Sequence, residues 1–457
     1  MRTRMAWLAG FLMLAAGVLV TWPLTHGQSP SVEHPTSSPP PSTAPTNGPA
    51  TGSLLGSGAK EHDRPSSQHP PVTAADGTRS TPPASQLTPL QQQMHLSALR
   101  GAEWLYRMNG PDGRFVPGYL PALKAVMGGD HYLRQVAAAF ALARAARYTG
   151  EERYAARATQ AVLTLLGETV VVPGDPPARH TSLPSNVINR LGAAGLLVAA
   201  INELPAPKDD LLEQSEQLCN FIRQQQQSDG SLRYNDSSEA GESAENPDGI
   251  NHHPGAALYG LMLSQRYRPA AWKADVLRKA LAYYRSWWKE HRAPAFVSWQ
   301  AAAYTEAFLQ TKEPAFAEFV SEMSDWLCRL QYDRIDPRRP LWYGGFREWA
   351  DGRPVEAAPQ VTSAAYAAAL AEACRVARQQ GDLARHRRYT EALERCLQFL
   401  ATLQYTDANT QHFADWYRPA LVGAFHASHE DGNLRLDYTQ HAVCALVQYL
   451  THVARPK

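Results

Sequence analysis

From Gln91 to the end of the chain, apolar positions recur with helical spacing, and the alternation expected of strands is nearly absent. Two kinds of helix take turns. The first is rich in alanine and apolar on most faces: LRQVAAAFALARAARYTG from Leu133, NVINRLGAAGLLVAAINEL from Asn186, PGAALYGLMLSQRY from Pro254, SWQAAAYTEAFLQT from Ser298, VTSAAYAAALAEACRVARQQGD from Val361 and YTQHAVCALVQYL from Tyr438. The second is amphipathic and falls near residues 91–109, 151–166, 207–227, 271–291, 315–331 and 383–404. A helix apolar on most sides is buried, whereas an amphipathic one keeps a face in water. Six of each, alternating, predict an all-α fold over residues 91–457, an (α/α)6 toroid with an inner ring wrapped by an outer ring.

A repeat supports this. EWLYRMNGPDGRF from Glu103, NFIRQQQQSDGSLRY from Asn220, DWLCRLQYDRIDPRRPLWYGGF from Asp325 and QFLATLQYTDANTQHFADWY from Gln398 each place an Asn or Gln five residues after an aromatic. Self-similarity at intervals of tens of residues marks a repeat architecture.

The stretches TGEERYAARATQAVLTLL and QTKEPAFAEFVSEMSDWLCRLQ look like the hairpin turns of six-hairpin glycosidase-like proteins. The resemblance is one of architecture over residues 91–457, and it implies a hydrolase, lyase or epimerase acting on glycans. The Asp-Gly-aromatic ends also resemble the repeats of terpenoid cyclase and protein prenyltransferase toroids. However, no DxDD acid cluster or convincing Cys/His/Asp zinc set accompanies them, which favours the glycan side.

Ahead of the toroid the pattern changes. Arg2 and Arg4 precede MAWLAGFLMLAAGVLVTWPL, a charged start and an apolar run of about the length that spans a bilayer. Residues 1–27 are therefore expected to be a signal peptide or signal anchor, with the rest of the chain outside the cytoplasm. Residues 28–90 hold more than a third of the 34 prolines, with many Ser and Thr, and are expected to be a disordered linker. Any membrane contact would pass through the N-terminal helix alone.

In such a toroid the inner helices run parallel, so the loops leading into them share one rim, where helix N-termini favour anions. Those loops are long and loaded, while the return turns are short and bland. Long loops on a rigid scaffold commonly carry function. SAENPDGINHHPG offers Asp248 and His252, with the Pro-Asp-Gly also readable as a plain turn. LWYGGFREWADGRPVEAAPQ offers Trp342, Arg347 and Glu348, which could equally form a local salt-bridge cluster. The stretch LRLDYTQH brings Arg435, Asp437, Tyr438 and His441, and Asp437 could instead cap the sixth inner helix. Arg134 stands near the start of the first inner helix. Trp299 and Glu306 share a face of the fourth, where a Glu among apolar residues must be paired or perturbed.

Aromatics, acids and arginines together suit a sugar, whose C–H faces stack on rings and whose acidic groups pair with Arg. Asp248, His252, Glu306, Glu348, Asp437 and His441 are the candidate catalytic residues. Arg134, Trp299, Trp342, Arg347, Arg435 and Tyr438 are the candidate binding residues. The expected partner is a carbohydrate, including uronic-acid-containing glycans, and the alternative is a toroid that binds glycan or protein without catalysis. A net charge of +1 gives no case for nucleic acid. No phosphate loop, GxSxG or HExxH is present, so no cofactor or metal is expected. His426, His429, Glu430 and Asp431 match no zinc spacing, and the five Cys sit in helical patterns as small buried hydrophobes rather than a disulfide framework.

Overall fold

The computed structural model describes residues 86–185, 187–234 and 247–454, at 247 and 248 for the backbone only. The expected signal or anchor segment and nearly all of the linker lie outside these residues. Among the described residues, no helix is long and apolar enough to cross a membrane. The toroid begins slightly before its expected boundary. Thr88 caps the first helix through the Gln91 backbone N–H, and the Gln91 side chain answers by accepting from the Thr88 N–H.

Six inner helices close a ring: α2 (Tyr132–Thr149), α4 (Arg190–Glu203), α6 (Pro247–Ser264), α8 (Pro294–Thr311), α10 (Ser363–Gln380) and α13 (Leu436–Gln448). Each packs on its two ring neighbours, and α13 meets α2 to complete the circle. The outer helices are α1 (Pro89–Met108), α3 (Glu152–Leu166), α5 (Asp209–Gln224), α7 (Ala271–Glu290), α9 (Pro314–Cys328) and α11 (Leu383–Thr402). The first five also touch the outer helices before and after them in the chain, and α13 touches α11 and α1. Small residues permit the close approach. A Cβ added to Gly195 of α4 would stand 2.5 Å from the backbone of Ala257 in α6, so only glycine fits there. All five cysteines are free.

The repeat seen in the sequence is a clamp between successive outer helices. The amide at each position, Asn109, Gln226, Gln331 or Gln404, pairs by backbone with a residue shortly before the next inner helix. In three of the four, its side chain also reaches a carbonyl of the following outer helix: Gln226 to Val276 (2.9 Å), Gln331 to Ala392 (2.8 Å) and Gln404 to Ser97 (3.0 Å). A glycine at positive φ completes each clamp. Gly230, Gly344 and Gly423 press so closely on that helix that an added Cβ would lie 2.2 Å from the carbonyl oxygens of Lys279, Arg395 and Arg100. The last of these closes α11 onto α1.

The rim loops contain short strands that the helical pattern does not announce. β1 (Gly118–Leu120) pairs antiparallel with β2 (Ala125–Val126) and with β7 (Leu434–Arg435), tying the first rim loop to the sixth. β3 (Thr169–Val172) and β4 (Ala178–Thr181) form a hairpin from a run of β-branched residues. β5 (Glu348–Ala350) and β6 (Arg353–Val355) turn at Asp351-Gly352, both at positive φ, the conformation a two-residue hairpin demands. A four-residue helix, α12 (Arg418–Leu421), lies in the sixth loop.

The third inner helix starts earlier than its sequence suggests. Pro247-Asp248-Gly249 is the first turn of α6 rather than a free turn, and Pro254 lies inside the helix. Pro247 stands at the start, where a missing N–H costs nothing. His252 and His253 are thereby helical.

Candidate functional site

Five of the six loops leading into inner helices are long. The fourth is the three-residue link 291–293. Below this rim the inner helices surround a narrow cavity of about 30 Å³, room for one or two waters. Its aromatic lining comes from Phe140 on α2, Tyr259 on α6 and Trp299 on α8. Trp299 packs against both of the others, with ring centroids 6.3 and 5.9 Å away. His441 of α13 stands in the same wall.

Asp437 and His441 are one turn apart on α13, and their surroundings differ. Arg435 grips the Asp437 carboxylate with two hydrogen bonds, 2.7 Å from Nε and 2.8 Å from a terminal nitrogen, and Arg134 adds an ion pair at 3.8 Å. Burial alone would raise the Asp437 pKa, but Arg435, Arg134 and His441 together hold it below the usual carboxylate range. Asp437 does not cap α13. It lies in the first turn, Arg435 occupies the cap position, and the Arg435 guanidinium covers the Tyr438 ring at 4.5 Å. The β1–β7 pairing fixes Arg435 by joining it to Gly118.

His441 is pushed below the ordinary histidine range by burial. The Asp437 charge pulls the other way, and His252 lowers it further. The imidazole is therefore neutral near pH 7, with a carboxylate placed to support the imidazolium it would become. His253, beside His252 on α6, is pushed down to about 4 by burial, then by His252 and His131. It packs against α4 at Gly192, where a Cβ would meet its Nδ1 at 2.4 Å. His131 at the start of α2, His252 and His253 on α6, and His441 on α13 thus come within electrostatic reach of one another across the ring.

The structure brings together Arg134, Trp299, Arg435, Asp437, Tyr438, His441 and, through its charge on His441, His252. Others stand apart. Glu306 lies toward the opposite end of α8, paired with Arg375 (2.8 Å) and Arg266 (3.2 Å). Burial would raise its pKa, yet these two arginines bring it to about 2, so it is a permanent anion. It belongs to a buried network with Glu203, Glu372 and Arg144 that seals that end of the ring. Trp342 packs on Tyr332, and the Arg347 guanidinium lies 5.3 Å from the same ring, so these two form a group on the fifth loop rather than on the cavity wall. Glu348 accepts from the Gln360 amide on that loop. The side chain of Asp248 is outside the described residues.

His426 and His429 each have a polar partner within the protein. His426 Nδ1 lies 2.7 Å from the Ser428 carbonyl, His429 Nε2 lies 3.0 Å from the Thr402 hydroxyl, and no group of three metal-ligating side chains occurs among the described residues.

Several cavity residues escaped the sequence reading, among them Phe140, Arg144, Tyr259, Gln440 and Gln448. The signal for the last two was present: Gln440, Cys444 and Gln448 make a polar stripe four residues apart down an otherwise apolar helix.

The ring of inner helices, wrapped by the outer ones, is an (α/α)6 toroid. Three solved structures place the chain within that fold. A heparin-specific unsaturated glucuronyl hydrolase matches at TM-score 0.56 and 13% identity, covering 79% of this chain and 97% of its own. A D-mannose isomerase matches at TM-score 0.57 and 11% identity, covering 79% and 99%. An α-1,6-mannanase of Salegentibacter sp. HEL1_6, an inactive variant in complex with α-1,6-mannotriose, matches at TM-score 0.51 and 10% identity, covering 78% and 99%. At 10–13% identity these similarities concern the fold. No family model and no curated protein matches the sequence.

Proposed function

We propose that the chain is an exported enzyme that moves a proton on a small sugar held at the rim, over the mouth of the central cavity, in the manner of an isomerase or epimerase. The observation that carries this reading is His441: a neutral, half-buried imidazole in the wall of an aromatic cavity, one turn from a carboxylate that two arginines keep ionised. A general base works best when it is uncharged at working pH and its protonated form is supported. His441 takes the proton from the carbon beside the carbonyl of an opened sugar. The resulting enediolate regains a proton at the neighbouring carbon, or at the same carbon from the other face. His252, whose charge is felt at His441, is the partner acid. Trp299 receives the sugar's C–H edge, and the arginines at the mouth, Arg134 and Arg435, favour the anionic intermediate. Similarity to a D-mannose isomerase supports this choice. Export rests on the sequence of residues 1–27.

A second reading, hydrolysis of a uronic-acid-containing glycan, draws on Arg134. Its side chain is 34% exposed and holds Asp437 only at 3.8 Å, which leaves it able to receive a substrate carboxylate. One experiment separates the two. The full chain is incubated in D2O with neutral aldohexoses, hexuronic acids and their oligosaccharides, and followed by NMR and mass spectrometry. Proton transfer predicts carbon-bound deuterium without chain shortening, reduced roughly 10²–10⁴-fold in His441→Gln. Shortened products that gain water, with no deuterium on carbon, would replace it with hydrolysis.

A further inference from the structure

The rim is uneven. Five of the loops that lead into inner helices span more than twenty residues each, but α7 ends at Glu290 and α8 begins at Pro294, so over the fourth inner helix the wall drops to the helix itself. The floor of this gap is the first turn of α8. Ala293, at its cap position, gives no side-chain hydrogen bond, so the early N–H groups of that turn have neither a carbonyl within the helix nor a capping side chain. Trp299 of the same helix stands in the cavity wall, so the gap adjoins the candidate site.

Aromatic side chains gather at this gap, and the chemistry at His441 uses none of them. Trp287, in the last turn of α7, is half-buried. Its ring lies 5.2 Å from Phe296 in the first turn of α8 and stacks on His291 of the link at 4.7 Å and 15°. Tyr283, one turn earlier on α7, is half-buried as well. On the fifth loop, half-buried Trp349 packs on Trp326 at 5.1 Å, and Trp326 packs on Trp288 of α7 at 5.7 Å. That chain of rings ties the fifth loop to the helix that runs into the gap. Tryptophan rings left partly in water offer flat faces to the C–H side of a sugar and an N–H to its hydroxyls.

We propose that the gap over α8 is an exit groove for a glycan chain. The sugar over the cavity mouth is then the end unit of an oligosaccharide, whose next units cross the first turn of α8 and lie against Trp287 and Trp349. This rests on the reading that the rim takes a sugar, and it adds that the substrate is a chain rather than a free monosaccharide. A rim of even height would stop such a chain, whereas a gap one loop wide lets it pass. The occupant is argued from continuity: the groove begins at Trp299 in the wall of the candidate site, and its floor offers N–H donors that hydroxyl groups can use.

The test measures affinity against chain length. Cello- and manno-oligosaccharides of one to six units form a neutral arm, oligogalacturonides of the same lengths form an acidic arm, and calorimetry on the full chain reads both. In at least one arm the hexamer is expected to bind about tenfold more tightly than the dimer. Trp287→Leu and Trp349→Leu should each cut that ratio to about threefold or less. The ratio is the readout because a folding defect would weaken every length alike. Inserting Gly-Ser-Gly-Ser after Arg292 raises the rim without removing an aromatic, and it should abolish the ratio too. Equal affinity for dimer and hexamer in both arms, or a ratio that survives the insertion or both substitutions, would overturn the proposal. So would absence of binding at every length. A length gain that the variants lose, with no deuterium taken up from any sugar, would uphold the groove and remove the proton-transfer reading. Deuterium uptake from free hexoses with no length gain would do the reverse.

Discussion

At the scale of single residues, the chain puts its ionisable groups to opposite uses at the two ends of the same ring. Glu306 and Asp437 are both carboxylates held ionised by two arginines, but Glu306 is locked among buried partners and Asp437 stands beside a free-standing base at the cavity mouth. Sequence alone could not separate them, since each is an acid on a mostly apolar helix. What decides is which turn of an inner helix the residue occupies: early turns face the rim, late turns the sealed end. The histidines carry a pH consequence. His253 is held at about 4, below the 6.5 of an exposed histidine, so the unfolded chain binds more protons between those values. Stability is therefore expected to fall as pH drops from about 6.5 to about 4, with His253 contributing up to roughly 3 kcal/mol. His441 and His452 act in the same direction. Urea unfolding at a series of pH values checks this. His253→Gln should flatten the acid side of the curve without abolishing its slope.

At the scale of elements, the twelve long helices were legible because burial imposes its own period on the residues. Alanine-rich runs can only be inner helices, and amphipathic ones can only wrap them. The rim was less legible. Its strands are two to four residues long, too short to show an alternation, and only the β-branched run at Thr169–Val172 and the Asp351-Gly352 turn gave local signals. The repeat was visible as a spacing, but its purpose was not, because the carbonyl that each glutamine reaches lies on another hairpin. Gly344 tests that purpose. With φ at +89° and a carbonyl 2.2 Å from where a Cβ would stand, Gly344→Ala should lower stability by more than about 2 kcal/mol. Gly128→Ala, where an added Cβ meets nothing within 4 Å, should stay within about 0.5 kcal/mol. Paired urea titrations report the difference.

At the scale of the whole toroid, clamps fasten α5 to α7 and α9 to α11, and the last joins α11 to α1 through Gln404 and Ser97. Gln91, in the first turn of α1, donates to the carbonyl of Ala454 at 3.0 Å, so the two ends of the helical domain already touch. The order of hairpins along the polypeptide is then an accident of where the circle happens to be cut. A circular permutant that joins residue 454 to residue 88 by a short peptide and opens at Gly150, whose surroundings within 4 Å are empty, should keep the native helical circular dichroism and a cooperative melt. The fold would thus have no obligatory first hairpin, and the link at 291–293, the one place where the rim is low, could equally serve as the new pair of ends.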